Sequence, residues 1–320
     1  MAMDDHGALP SRRDLVPIAA AGAGAIAVGG GALAQAPRAE AWRVAPAQTT
    51  WTPEPPQAPA KEGMADLPGA RLYYWDTGGA GEPVVLLHPA TGSAAIWAYQ
   101  QPALAAAGYR VIAYSRRGHY RSERGDEANP GTMAGDLRAL TQFLRLGRFH
   151  LVGSAAGGFI GPDYALAFPD DVLSVTIANS LGGVQDPAYN RTTAALLPKG
   201  FTDLPPDFRE LSPSYRAANP PGCKRWLELE HMAVSGAPVR QRTLGALSWA
   251  NIERIAAPVL LITGDADLYQ PPSRLREYAS HLKNAEAVVI SEAGHSAYWE
   301  QPEAFNLTLI DFLRRHRQRR

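Results

Sequence analysis

Three short clusters in this chain have the residue types of acyl-transfer chemistry, and one of them has a gap. Gly153-Ser154-Ala155-Ala156-Gly157-Gly158 follows the run His150-Leu151-Val152. Small residues on either side of a tip outline a nucleophile elbow, a sharp strand-to-helix turn that exposes a reactive side chain. The tip is position 155, and it holds alanine. The competing reading of these small residues is tight packing of a helix on a sheet. Gly264-Asp265-Ala266-Asp267 offers carboxylates, and Ala293-Gly294-His295 offers an imidazole. An imidazole titrates near neutrality and can serve as general base. A carboxylate accepting its second N–H would hold the ring in one tautomer. Asp265 and Asp267 compete for that role, and a surface loop histidine is the rival reading of His295.

The elements that must position these groups are legible around them. Arg71 to Trp75 is a strand candidate closed by Gly78-Gly79, and Val84-Val85-Leu86-Leu87 is a continuous apolar run. Tyr109 to Tyr114, Leu151-Val152, Val172 to Ala178, Val259 to Thr263 and Ala287 to Ile290 have the same character. Unbroken apolar runs are expected of strands covered on both faces. Helical stretches alternate with them, among them Ala134 to Leu146 and Pro302 to Arg315. The second carries Phe305, Leu309, Phe312 and Leu313 on one stripe. The alternation predicts an α/β fold, a mostly parallel sheet with helices on both faces. Between Asn179 and Pro258 no buried strand is evident, and Phe208 to Tyr215, Lys224 to Val234 and Val239 to Ile255 read as short helices. A structureless loop of that length is improbable, so residues 181–255 are expected to form a helical cap over the strand ends.

In this order the pieces resemble the α/β-hydrolase superfamily, over roughly residues 68–315. The loop Leu87-His88-Pro89-Ala90-Thr91-Gly92 comes first, then the elbow, the acid and the histidine. Nucleophile, acid, histidine is that superfamily's chain order. Arg117-Gly118-His119-Tyr120-Arg121-Ser122 is similar to its Arg-Gly-x-Gly-x-Ser turn, with Tyr120 in place of the second glycine. The resemblance implies that Asp267 rather than Asp265 is the acid, with His295 as base. It implies that the N–H groups of Ala90 and Ala156 form the oxyanion hole. Pro89 departs from the common His-Gly version of this loop. His88, with bracing of the loop backbone as its rival role, and the aromatics Trp97, Tyr120, Trp249 and Tyr298 are candidates for substrate binding, although the aromatics suit a core equally well.

A methyl group cannot attack a carbonyl, so an acyl-enzyme at Ala155 is impossible. Ser154 precedes the tip, and its side chain should point elsewhere. Three explanations remain. The alanine is an engineered replacement for serine, which the intact export signal argues against. Or His295, held by Asp267, activates water or the substrate directly; serine proteases stripped of their nucleophile keep roughly 10³–10⁴-fold catalysis over water. Or the fold has become a ligand-binding pseudoenzyme, which would have no need of the acid–histidine pair. The expected function is hydrolysis of an ester or related carbonyl bond in a small organic substrate. Lyase or cofactor-free oxygenase chemistry is a further alternative.

Composition and the chain ends set the remaining bounds. The 320 residues are 46% apolar, and Lys plus Arg equals Asp plus Glu at 31 each, so no bulk charge recruits nucleic acid or an anionic membrane. No glycine loop for a dinucleotide or phosphate appears, and no cofactor is implied. His119, His150, His231 and His281 show no metal-ligand spacing. A single cysteine, Cys223, forbids an intramolecular disulfide. Ser11-Arg12-Arg13-Asp14-Leu15, a weakly apolar Ala/Gly-rich run to Leu33 and the small-x-small site Ala32-Leu33-Ala34 resemble a twin-arginine export signal. Residues 11–34 would engage that export machinery, and the mature chain would be periplasmic or secreted without stable membrane insertion. The expected organisation is a signal at 1–34, a Pro-rich linker at 35–66, an α/β core at 67–180 and 256–320, and the cap between.

Overall fold

The computed structural model describes residues 42–48, 51–234 and 236–318. The predicted export signal at 1–34 lies outside the described residues. Among these, one sheet contains nine strands: β1 (Trp42–Ala45), β2 (Lys61–Leu67), β3 (Ala70–Asp76), β4 (Pro83–Leu87), β5 (Arg110–Tyr114), β6 (Phe149–Ser154), β7 (Val172–Ala178), β8 (Val259–Gly264) and β9 (Ala285–Ile290). Their spatial order is β1-β9-β8-β7-β6-β4-β5-β3-β2. β2 pairs antiparallel with β3 and β3 antiparallel with β5, while every other pairing is parallel.

The unbroken apolar runs exist because each face of the sheet has its own core. Val84 and Leu86 of β4 enter one hydrophobic cluster, and Val85 and Leu87 enter the other. Val111 and Ala113 part from Ile112 and Tyr114 in the same way, as do Leu260 and Ile262 from Val259 and Leu261. This is the two-residue period of a strand with no wet face. The helices Gln100–Ala106 and Pro302–Arg315 cover the first face through Leu104, Leu309 and Phe312. The helices Met133–Phe143, Gly157–Ala167 and Pro272–Ser280 cover the second through Leu137, Ile160 and Tyr278.

The predicted linker at 35–66 needs correction. Trp42–Ala45 is an edge strand parallel to β9, and Lys61–Leu67 is the opposite edge strand. The prolines stand between these stretches, at 46, 53, 55, 56 and 59, so they exclude regular structure from the gap and not from its flanks. Residues 51–60 have no helix or strand. They are nonetheless tied to the body: the Tyr99 hydroxyl donates to the Thr52 carbonyl at 2.8 Å, and Arg225 pairs with Glu54 at 2.7 Å.

Between β7 and β8 the chain forms helices at Pro187–Leu196, Pro206–Glu210, Pro213–Ala218, Pro220–Ala233 and Trp249–Ile252. Four of them begin on proline, whose fixed φ and missing N–H suit a first helical turn. Asp186, Ser212 and Asn219 cap three of these starts. The helix expected across 239–255 shrinks to Trp249–Ile252. Residues 239–248 instead run as loop, with Leu244 and Gly245 donating their N–H groups to the buried carboxylate of Asp163.

Candidate active site

The chain passes from β4 to β5 on one side and then returns to β6 on the other, so the topology reverses between β4 and β6. Ligand sites of open α/β sheets lie at such a point, beyond the carboxyl ends of the strands. Leu87 is paired with Gly153 at that end, which sets the Ala90 loop beside the turn at 155. Ala155 has φ of +48°, a left-handed conformation that costs an L-residue roughly 1–2 kcal/mol. The glycines around it have no alternative. A Cβ on Gly157 would run into the Leu87 carbonyl, and one on Gly153 into the Gly157 carbonyl. Ala156 N–H and Ala90 N–H are spent on no acceptor among the described residues. Ala90 is exposed, while Ala155 and Ala156 are half-buried, so solvent reaches this tip.

Asp267 and His295 meet although 28 residues separate them. The His295 Nδ1–H donates to Asp267, with both carboxylate oxygens at 2.9 Å. Asp265, the competitor, is exposed. Asp267 is buried, and its oxygens also accept from the N–H groups of Tyr269 and Gln270 at 2.9 Å and from Asn179 Nδ2 at 3.0 Å. Burial alone would raise its pKa, but the His295 charge and these donors hold it below the usual carboxylate range. Burial likewise disfavours the charged ring of His295, yet the negative charges of Asp267 and then Glu210 push its pKa up to about 9. Its Nε2 makes no hydrogen bond to the described residues.

The strained turn at Ala155 follows β6, and the Asp267 and His295 loops follow β8 and β9, so all three lie at the carboxyl end of the parallel sheet. The alpha/beta hydrolase family model matches residues 84–306. This chain belongs to the alpha/beta hydrolase family. It is 28% identical over 275 residues to the 2-hydroxy-6-oxononadienedioate/2-hydroxy-6-oxononatrienedioate hydrolase of Paraburkholderia xenovorans, spanning 79% of this chain and 93% of that protein. Its fold is similar to that of a thermophilic esterase from Thermogutta terrifontis, with a TM-score of 0.64, 24% identity, and coverage of 81% of this chain and 100% of the other. A bromoperoxidase from Bacillus anthracis gives a TM-score of 0.65 at 23% identity, covering 79% and 100%.

Of the predicted substrate-binding residues, His88, Trp97 and Tyr298 are closed off from solvent. His88 is fully buried with both nitrogens used on backbone: Nε2 accepts from Arg116 N–H at 2.9 Å, so Nδ1 carries the proton and donates to the Pro89 carbonyl at 2.7 Å. Burial first, and Arg116 second, keep it neutral. His119 donates to the Gly92 carbonyl at 3.0 Å, so two histidines brace the loop after β4. Trp97 and Tyr298 are core residues, buried with their rings 5.0 Å apart. Tyr120 is half-buried and packs edge-on against Tyr73. Trp249 is half-buried and packs among aromatics, stacked on His281 at 3.9 Å and edge-on to Tyr189 at 5.0 Å and Tyr278 at 5.6 Å.

Four residues at the site escaped sequence reasoning. Asn179, also left-handed with φ of +47°, ends β7 and donates through Nδ2 both to Asp267 and to the Gly294 carbonyl at 2.9 Å. Ser180 beside it donates to the Ala155 carbonyl at 2.6 Å. One dipeptide thus ties the elbow to the acid and histidine loops. Tyr269 lays its ring over His295, with centroids 4.4 Å apart. Glu300 accepts from the N–H groups of Ser212 at 2.6 Å, Gly294 at 2.8 Å and Ser296 at 3.3 Å, joining the insertion to the histidine loop. Asn179 alone had a local signal: asparagine tolerates left-handed backbone where a strand must stop.

Proposed function

We propose that this chain acts on an ester or related carbonyl bond of a small organic substrate, and that His295 and Asp267 work there without an attacking side chain. The observation that carries the proposal is the His295–Asp267 hydrogen bond at 2.9 Å beside a strained turn whose backbone donors are unspent. A substrate carbonyl oxygen seated on the N–H groups of Ala90 and Ala156 would gain most as negative charge develops on it. His295 would activate water, or the substrate itself, in the place a serine would occupy. The insertion helices between β7 and β8 would form the lid that chooses the substrate. Hydrolase and esterase names among the relatives support a carbonyl substrate.

A second reading is favoured by one observation. His295 is buried against Asp267, with the Glu210 and Glu300 charges also acting on it, and these carboxylates favour its charged form, which donates a proton rather than accepts one. That suits a site which binds a carbonyl or an anion without turning it over. The experiment is the same for both. Ala155→Ser should create hydrolysis of p-nitrophenyl acetate, and His295→Ala in that background should abolish it. No gain from Ala155→Ser would count against a hydrolytic site with a missing oxygen. Native turnover dependent on His295 would exclude a purely binding role.

A further inference from the structure

The loop from β9 to the one-turn helix Ala297–Glu300 carries His295, and the side chains of Ser212, Asn179 and Glu300 hold it. The Ser212 hydroxyl donates to the Glu292 carbonyl at 2.9 Å, where the backbone is left-handed with φ of +56°. Asn179 donates to the Gly294 carbonyl at 2.9 Å. Glu300 holds the amides: Oε1 accepts from Gly294 N–H at 2.8 Å and Ser296 N–H at 3.3 Å, one residue on either side of His295. Its Oε2 accepts at 2.6 Å from the N–H of Ser212, which belongs to the insertion. The two segments lie so close that a Cβ on Gly294 would approach Ser212 N to 2.7 Å and the Glu210 carbonyl to 2.9 Å.

A carboxylate is a costly way to join two loops. Glu300 is 2% exposed, burial works against its charge, and no cation forms an ion pair with it among the described residues. A neutral acceptor joins the same segments without that cost, as the Glu210 carbonyl does for Ser296 N–H at 3.1 Å. What the carboxylate adds is an acceptor at both ends of one rigid group. The amide of glutamine would turn an NH2 toward an N–H on one side. With Gly294 and Ser296 both pinned, the backbone at His295 cannot slide, and the ring stays 2.9 Å from Asp267. We propose, on the reading that His295 and Asp267 are the working pair, that Glu300 is a positioning residue through which the insertion holds the backbone on both sides of His295 and so keeps its ring on Asp267. A working side chain keeps its geometry only when such supporting contacts lock it.

The test is exchange of the His295 Nδ1–H with water, followed by NMR at its downfield proton resonance at pH 7.5. Glu300→Gln keeps the shape and loses one side of the grip. Glu300→Asp keeps the charge and is too short to reach both loops. Both should speed exchange about tenfold or more relative to the native chain. Asp163→Asn is the control for general loosening: that buried carboxylate accepts from Leu244 and Gly245 N–H at 2.7 and 2.9 Å, on a different loop. Its loss should lower the unfolding temperature and leave the ring proton as it is. Native-like exchange in Glu300→Gln would overturn the proposal, because the residue would then serve stability alone. Native-like exchange in Glu300→Asp would overturn it as well, because charge would then suffice without reach. Equal acceleration in Asp163→Asn would do the same. If Glu300→Gln fails to fold, Glu300→Asp against Asp163→Asn carries the test. No turnover enters the measurement, so an Ala155→Ser chain that hydrolyses nothing would count against the proposed function and leave this result standing.

Discussion

The charge on His295 is the property on which both readings of the site turn, and it can be measured without knowing the substrate. The perturbation is Asp267→Asn, which keeps the shape of the acid and removes its charge. Moving an imidazole from 6.5 to about 9 corresponds to about 3 kcal/mol. The sign follows from proton linkage. A histidine whose pKa is raised by folding contributes stability that is fully present below pH 6.5 and is lost as pH rises through about 9. The native chain should therefore lose on the order of 3 kcal/mol of unfolding free energy between pH 6 and pH 9.5 that Asp267→Asn does not lose. In the variant the Glu210 and Glu300 charges remain, and the ring should titrate well below its native value. Urea unfolding of both proteins across that range gives the difference, in which other titrating groups cancel. Following the His295 ring by NMR assigns the change to one residue. A native ring that titrates at or below 6.5, or a stability difference flat with pH, would refute the account of the site as an imidazolium held by carboxylates. The same profile separates the readings of function: turnover through neutral His295 should rise toward pH 9, whereas binding to the charged ring should weaken there.

Two further outcomes are expected. Burial raises the Glu300 pKa from 4.5 to about 7 against the pull of its backbone donors. The folded chain then holds a proton that the unfolded chain has released between those values, so stability should fall by about 3 kcal/mol as pH rises from 4.5 to 7. Glu300→Gln should remove that slope in urea unfolding. Gly157→Ala would drive a methyl into the Leu87 backbone carbonyl and should cost about 1–3 kcal/mol or more. Gly147→Ala, where nothing lies within 4 Å, should be near neutral in the same measurement.

Much of the core was legible along the chain because its signals are local. Four consecutive apolar residues at Val84–Leu87 can only be a strand with both faces covered, and Gly153 and Gly157 mark a turn too tight for side chains. The acid and histidine were legible because each follows a buried strand in a fixed chain order. What sequence pattern misassigned was the use of side chains that serve equally in a core and in a pocket. Trp97, Tyr298 and Trp249 are large and apolar wherever they stand, and only packing showed that the first two fill the core and that the third sits among Tyr189, Tyr278 and His281. The Pro-rich segment was misread for a related reason: edge strands have weak patterns, and pairing with β9 and β3 is a long-range event that no short window contains.

The sequence by itself determined the fold class, the turn at 155, the missing attacking oxygen and the identities of Asp267 and His295. Those depend on residue type, local backbone demands and order along the chain. The tertiary structure decided the electrostatics: which carboxyls are saturated with donors, and that those around His295 raise its pKa. Glu210 and Asn179 lie far from His295 in sequence and act on it and on its acid through burial, charge and hydrogen bonds across loops. Those interactions depend on distance in space, and nothing in local sequence encodes them.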